Sequence, residues 1–176
     1  MPTPTYNCIA TETLSSNQAS ISFTSINQSF TDLVVIASVR GTTSTHLHAY
    51  VGNGSYDSGS NYSNTGMYAR STTNDHASER NSNYQGVRLS PYTYGVPSAS
   101  STFGTCVAHF QNYSNTTTYK TILVRSASIG SDFYAGTCAA VNLWRNTNAI
   151  NQIQIFPLNG SFVTGTMITL YGIKAE

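Results

Sequence analysis

Charge is what this chain has least of. Only 9% of its 176 residues are Asp, Glu, Lys or Arg, against about a quarter in an ordinary globular domain. The net charge is +1, and the eight basic residues are scattered from Arg40 to Lys174. No basic stripe exists to hold a phosphate backbone or an anionic lipid surface, so neither nucleic acid nor membrane is expected as a partner. Long apolar runs are also missing, and none approaches the roughly 20 residues that cross a bilayer as a helix. The opening residues, M-P-T-P-T-Y-N, show no basic n-region and no apolar h-region, so no secretory leader is expected.

Cysteine is scarce too. Cys8, Cys106 and Cys138 match no zinc, haem or thioredoxin spacing. Cys106 and Cys138 lie in the short apolar runs T-C-V-A and T-C-A-A and read as buried small hydrophobes. One disulfide is arithmetically possible but would leave an odd thiol, and none is expected. The carboxylates are Glu12, Asp32, Asp57, Asp75, Glu79, Asp132 and Glu176. None stands in a motif, and a glycosidase needs two positioned ones. Gly52-Asn53-Gly54 does not lead into a helix, so no phosphate cradle is expected. The chain is read as a non-enzyme without cofactor or metal.

What is present is aromatic and strand-forming. Twelve Tyr, seven Phe and a Trp argue against disorder. Abundant Thr, Tyr, Val and Ile favour strands, while Asn, Gly and Ser favour turns. Residues 1–5 hold two prolines and read as an extended N-terminal arm, with residues 6–176 forming one domain. Tyr6–Ala10 reads as a first short strand, T-E-T-L-S-S-N-Q as a polar turn, and Ile21 and Phe23 as part of the next strand. Leu33, Val35, Ala37 and Val39 alternate along a central strand. His46–Val51 returns with Leu47, Ala49 and Val51 inward, which predicts an antiparallel pair with the strand before it. Gly52 to Thr102 keeps no sustained period and offers only short strands at Met67–Ala69 and Val87–Leu89. Within it, Asp75–Arg80 reads as a loop with a single helical turn. Pattern returns in strands from Thr105, over Tyr119–Ala127 and over Thr137–Trp144. At the C-terminal end, Gln152–Phe156 and Met167–Ile173 read as two strands of a hairpin turned at Asn159-Gly160, with Pro157 ending the first. Eight or more strands without helical period predict an antiparallel β-sandwich of jelly-roll type.

Two sets of side chains are candidates for binding. His46 and His48 lie two apart on one strand face and so project together. They chelate zinc or copper only if further ligands join them; otherwise they are solvent-side or interface residues. His109 reads as an ordinary polar-face histidine. The other set is tyrosine in Ser-, Gly- and Asn-rich sequence, namely Tyr56, Tyr62, Tyr68, Tyr84, Tyr92 and Tyr94, with Tyr50 nearby. That composition makes adaptable recognition surfaces. It also fills subunit contacts.

Three segments carry a resemblance. S-I-N-Q-S-F-T-D-L-V-V-I-A-S-V-R (25–40), F-Q-N-Y-S-N-T-T-T-Y-K (110–120) and the stretch from Trp144 to Ile173 resemble small structural proteins of tailed phages, especially those of cyanobacteria. The resemblance covers about half of the chain and leaves Gly52–Thr102 out. It implies a virion component with a jelly-roll-type domain and no catalytic residues. One expectation it raises is a capsid decoration (cement) protein, a homotrimer on the outer capsid surface of the virion, whose partner is the major capsid protein. Its arm, Pro2, Thr3, Pro4, Thr5 and Tyr6, would then add contacts to the shell. The other is a tail-fibre or receptor-binding domain that recognises host glycans through the tyrosines.

Overall fold

Alternation builds the strands, and the two sheets share the inward residues. The computed structural model describes residues 5–70, 75–90, 93, 95–129 and 135–174. Among these there are twelve strands and no helix: β1 Tyr6–Thr13, β2 Ile21–Phe23, β3 Asp32–Val39, β4 Leu47–Gly52, β5 Tyr62–Arg70, β6 His76–Tyr84, β7 Val87–Arg88, β8 Gly104–Phe110, β9 Lys120–Ser128, β10 Gly136–Trp144, β11 Gln152–Pro157 and β12 Met167–Ile173. One sheet has eight strands in the order β1-β12-β3-β8-β9-β10-β5-β6, the other four in the order β2-β11-β4-β7. Every pairing is antiparallel. The protein is an all-β sandwich.

Eight strands form a frame. The quartet β1-β12-β3-β8 faces the quartet β2-β11-β4-β7, and the chain passes between the quartets as in a jelly roll. The remaining four strands arrive as two insertions. β5 and β6 lie between β4 and β7, and β9 and β10 between β8 and β11. The insertions find each other: β10 pairs with β5 over nine registered positions, from Gly136↔Arg70 to Trp144↔Tyr62. This junction doubles the larger sheet.

The apolar core lies between the quartets. Leu33, Val35 and Val39 of β3 and Ile168 and Leu170 of β12 are fully buried, as are Leu47, Ala49 and Val51 of β4 and Ile153 and Ile155 of β11. Burial of this kind contributes about 1.5–3 kcal/mol for each large aliphatic side chain. Trp144 and Tyr62 close the core at the insertion junction, with ring centroids 6.5 Å apart in a stacked pair.

Several sequence expectations change. β3 and β4 are not a pair. β3 lies between β12 and β8, whereas β4 lies between β11 and β7. Both present alternating apolar residues inward, but from opposite sheets, and a period of two cannot tell these arrangements apart. The C-terminal hairpin fails for the same reason. β11 and β12 belong to different sheets, and the turn at Gly160 (φ 75°) carries the chain across the sandwich. There Phe162 bridges to Gln18 and Gly41. Pro157 does end β11, and β12 is an interior strand between β1 and β3. The first strand runs on past Ala10 to Thr13, into the first three residues of the expected polar turn. Asp75–Arg80 is no helical turn: His76–Arg80 opens β6. The three cysteines are free thiols.

Candidate functional site

Two surfaces stand out, one on the outside of each sheet. The first is the outer face of the eight-stranded sheet. Strand register aligns Ile36, Val107, Arg125, Ala139 and Met67 in one row across β3, β8, β9, β10 and β5. The neighbouring row is Val34, His109, Leu123, Val141 and Thr65. Ile36, Val107 and Leu123 are 42–44% exposed and Met67 is 64% exposed. Met67 stands as a knob. Beside it a hollow of about 640 Å³ opens over Thr65, Gly66, Val107, Leu123, Ala139 and Val141. An apolar stripe crossing five strands is unusual on the surface of a soluble monomer. Its charged members are Arg125, near the middle, and the His109–Asp32 pair at 2.8 Å on the rim.

The second surface is the outer face of the four-stranded sheet. With Leu47, Ala49 and Val51 inward, β4 must turn His48 and Tyr50 outward. β11 sets Phe156 opposite His48. Tyr84, at the end of the inserted β6, lies over the same spot. The His48 ring is 5.8 Å from that of Tyr84 and 6.0 Å from that of Phe156, and Tyr50 meets Phe156 at 4.7 Å. The Arg88 guanidinium sits 5.0 Å over the Tyr84 ring. A hollow of about 340 Å³ opens here, lined by His48, Tyr50, Ser60, Asn83, Tyr84, Gln85 and Leu158.

The histidines therefore depart from expectation. They do share a face, with rings 6.4 Å apart, but His48 is only 2% exposed. Burial, with Arg88 and His46 adding repulsion, lowers its pKa to about 3, so it is neutral at pH 7. Its Nε2 is buried without a hydrogen-bond partner. His46 is lowered as well, chiefly by burial and against the hydrogen bonds of its Nδ1 to the carbonyls of Thr93 (2.8 Å) and Ser90 (3.1 Å). Both partners are acceptors, so Nδ1 carries the proton. Among the described residues, no group of three or more His, Cys, Asp or Glu side chains converges as a metal site.

The tyrosines divide. Tyr62 is fully buried, so it is no part of a recognition surface; its hydroxyl donates to the Asp57 carbonyl at 2.7 Å. Tyr56 is half-buried in the loop after β4, which Asp57 fastens. Burial pushes the Asp57 carboxyl up, but hydrogen bonds from Trp144 Nε1 (2.8 Å), Asn61 and the Gly59 N–H more than offset this and hold it below its ordinary value. Tyr68 lies under Arg70 at 4.3 Å, away from the others. Tyr84 is the expected tyrosine that lies in the second hollow, joined by Tyr50. Tyr92 and Tyr94 lie outside the described residues, as do Pro2, Thr3 and Pro4. Of the arm, Thr5 accepts a hydrogen bond from the Lys174 N–H. Tyr6 is not arm at all: it pairs with Ile173 in β1, its ring 6.1 Å from Tyr171.

Asn83, Gln85 and Ser60 could not be assigned to a site from sequence, because the polar stretch around them has no period. A signal was nonetheless there. His48 and Tyr50 alternate with three small or aliphatic residues, which marks an aromatic outer face on a buried strand. The buried thiols offer no chemistry: desolvation raises the pKa of Cys106 and of Cys138, so neither is a thiolate at neutral pH. Compared with models of known protein families, with curated proteins and with solved structures, the chain finds no match.

Proposed function

We propose that this is a structural virion protein, a capsid decoration protein that works as a homo-oligomer, most simply a trimer, on the outer capsid surface. The observation that carries the reading is the exposed apolar face of the eight-stranded sheet. The five strands of the stripe, about 4.8 Å apart, span about 19 Å, and its two outward rows span about 13 Å along the strands. The stripe thus offers about 250 Å² of apolar surface, enough for the apolar centre of an interface with a polar rim around it. Its occupant is a further copy of this chain. Knob and hollow lie side by side on one face, so the knob of one copy can enter the hollow of the next around a three-fold axis, the heterologous contact that closes a ring. With charge limited to Arg125 near the middle and the His109–Asp32 pair on the rim, the stripe carries less of the repulsion and desolvation cost that densely charged identical faces would bring.

The jelly-roll order supports the reading by analogy of fold, since viral shells and lectins both use it. The resemblance of the segments 25–40, 110–120 and 144–173 to phage structural proteins supports the virion setting. A decoration protein needs rigidity and many modest contacts rather than one strong site.

The test is the copy number in purified virions, measured by quantitative mass spectrometry against the major capsid protein. A ratio near one supports decoration. A ratio of a few per cent moves the protein to the tail, and absence from particles overturns the virion reading. In parallel, Leu123→Asp should convert the oligomer to monomer in sedimentation at unchanged circular dichroism. A wild-type monomer at high micromolar concentration would remove the sheet face from the argument.

A further inference from the structure

The second hollow has the chemistry of a different partner. Its floor is His48 and its walls are the rings of Tyr50 and Tyr84, with Ser60, Asn83 and Gln85 around the mouth. About 340 Å³ is the lower end of the range for small-molecule sites, enough for one ring rather than an extended chain. Apolar walls with a few convergent amides and hydroxyls are what a polyhydroxylated ring requires. Its C–H face packs on an aromatic ring, and its hydroxyls pair with side chains that both donate and accept.

The walls are held before any ligand arrives. Arg145 donates from Nη2 to the Ser60 carbonyl at 2.7 Å and to Asn83 Oδ1 at 2.9 Å, which ties the mouth of the hollow together. With Oδ1 engaged, the Asn83 amide presents Nδ2 as its donor. Gly86, at φ 88°, lies against Tyr50, and a Cβ there would approach the Tyr50 ring to 3.0 Å. Phe156 supports the same ring at 4.7 Å. Rigid aromatic walls lower the ordering cost of binding. Beneath them the His48 Nε2 lacks a partner, although buried polar atoms nearly always have one.

The lining also discriminates. No carboxylate lines the hollow, so a cationic ligand would have no counter-charge. A purely aliphatic ligand would leave the amides unpaired. Arg88 behind Tyr84 makes an anionic substituent tolerable.

We infer that the hollow between Tyr50 and Tyr84 is a saccharide-binding site that takes a single neutral or acidic pyranose residue. The inference does not rest on the decoration reading, since it concerns the opposite sheet, and a decoration protein carrying it would present a sugar-binding face outward.

The test is saturation-transfer difference NMR on the intact protein with methyl glucoside, methyl galactoside, methyl mannoside, N-acetylglucosamine and glucuronic acid. Binding by at least one sugar with a Kd of about 1–10 mM is expected, with transfer strongest to one face of the ring. Tyr84→Ala should weaken it about tenfold, while Tyr84→Phe, which keeps the stacking face, should stay within about threefold. If Tyr84→Ala does not fold, Asn83→Ala takes its place, with a loss of about fivefold. No transfer to any of the five sugars overturns the inference. So does binding that Tyr84→Ala, or Asn83→Ala in its stead, leaves unchanged.

Discussion

The two halves of the eight-stranded sheet fill their inner faces differently. In the frame, β3 and β12 turn Leu33, Val35, Ala37, Val39, Ile168 and Leu170 inward. In the insertions, β9, β10 and β5 turn in Ile122, Val124, Trp144 and Tyr62 next to the frame, but also the buried polar Ser126, Ser128, Asn142 and Asn64. The frame faces a second sheet along its length. The insertions face chiefly β7, a strand of two residues that packs across β10 and β5. So short a strand cannot cover a wide apolar surface, and position must be fixed by directed bonds instead. Asn142 supplies them. Its Oδ1 accepts the Arg88 N–H at 3.0 Å, and its Nδ2 donates to the Arg88 carbonyl at 3.2 Å, so one amide side chain imitates a neighbouring strand. The frame is held by area, the insertions by apolar area in part and by directed hydrogen bonds where β7 covers them.

The largest effect should come from cutting the frame. Leu170→Ala removes a fully buried side chain between two strands, and a loss of about 2–5 kcal/mol is expected. Val141→Ala, on the half-exposed outer face of β10, should cost less than about 0.5 kcal/mol in a monomer. Urea unfolding of the two variants measures the contrast. Comparable losses would mean that the outer face is already covered, as it would be in a stable oligomer.

The seam between the halves is sensitive to acid. Tyr84 of the insertion lies on His48 of the frame. The folded-state pKa of His48 is depressed to about 3, while the unfolded chain titrates near 6.5, so between these values the unfolded state binds the extra proton. Stability is therefore full above about pH 6.5 and falls as the pH drops toward 3, at up to about 1.4 kcal/mol per pH unit. His46 is shifted in the same direction and adds to the slope. From pH 6.5 to 4.5 the loss should be about 2–3 kcal/mol. His48→Phe should flatten the dependence in urea titrations. An unchanged slope would place the proton uptake elsewhere.

How far the sequence could be read follows the same division. In the frame, alternation at Leu33–Val39, Leu47–Val51 and Met167–Ile173 shows the strands and their inward faces directly. It is silent on which sheet each joins, because two sheets of a sandwich turn the same pattern toward one core. That is why the expected pairing of β3 with β4 and the C-terminal hairpin failed. In the insertions, β5 reads Y-S-N-T-G-M-Y-A-R and β6 reads H-A-S-E-R-N-S-N-Y. Polar residues occupy both faces, so no period survives, and the strands form because β10 offers β5 an edge. The tyrosines were ambiguous for a related reason: an aromatic ring serves equally as core, as Tyr62 does, and as surface, as Tyr84 does.

The smallest effect tests whether hydrogen bonds hold the insertions. Asn142→Ala leaves the Arg88 N–H and carbonyl without their partner in a buried place, which costs about 1–3 kcal/mol. The loss should be local as well as global. Amide exchange at Arg88 should accelerate, since its hydrogen then lacks an acceptor, while exchange at Leu170 in the frame should change only by the overall loss of stability. Asn142→Leu separates shape from bonding. It restores volume but not the amide, so if packing alone held β7 in place it would recover stability and slow exchange at Arg88 again. Continued fast exchange in the leucine variant, at near-normal exchange in the frame, is the outcome expected of a strand held by one amide side chain.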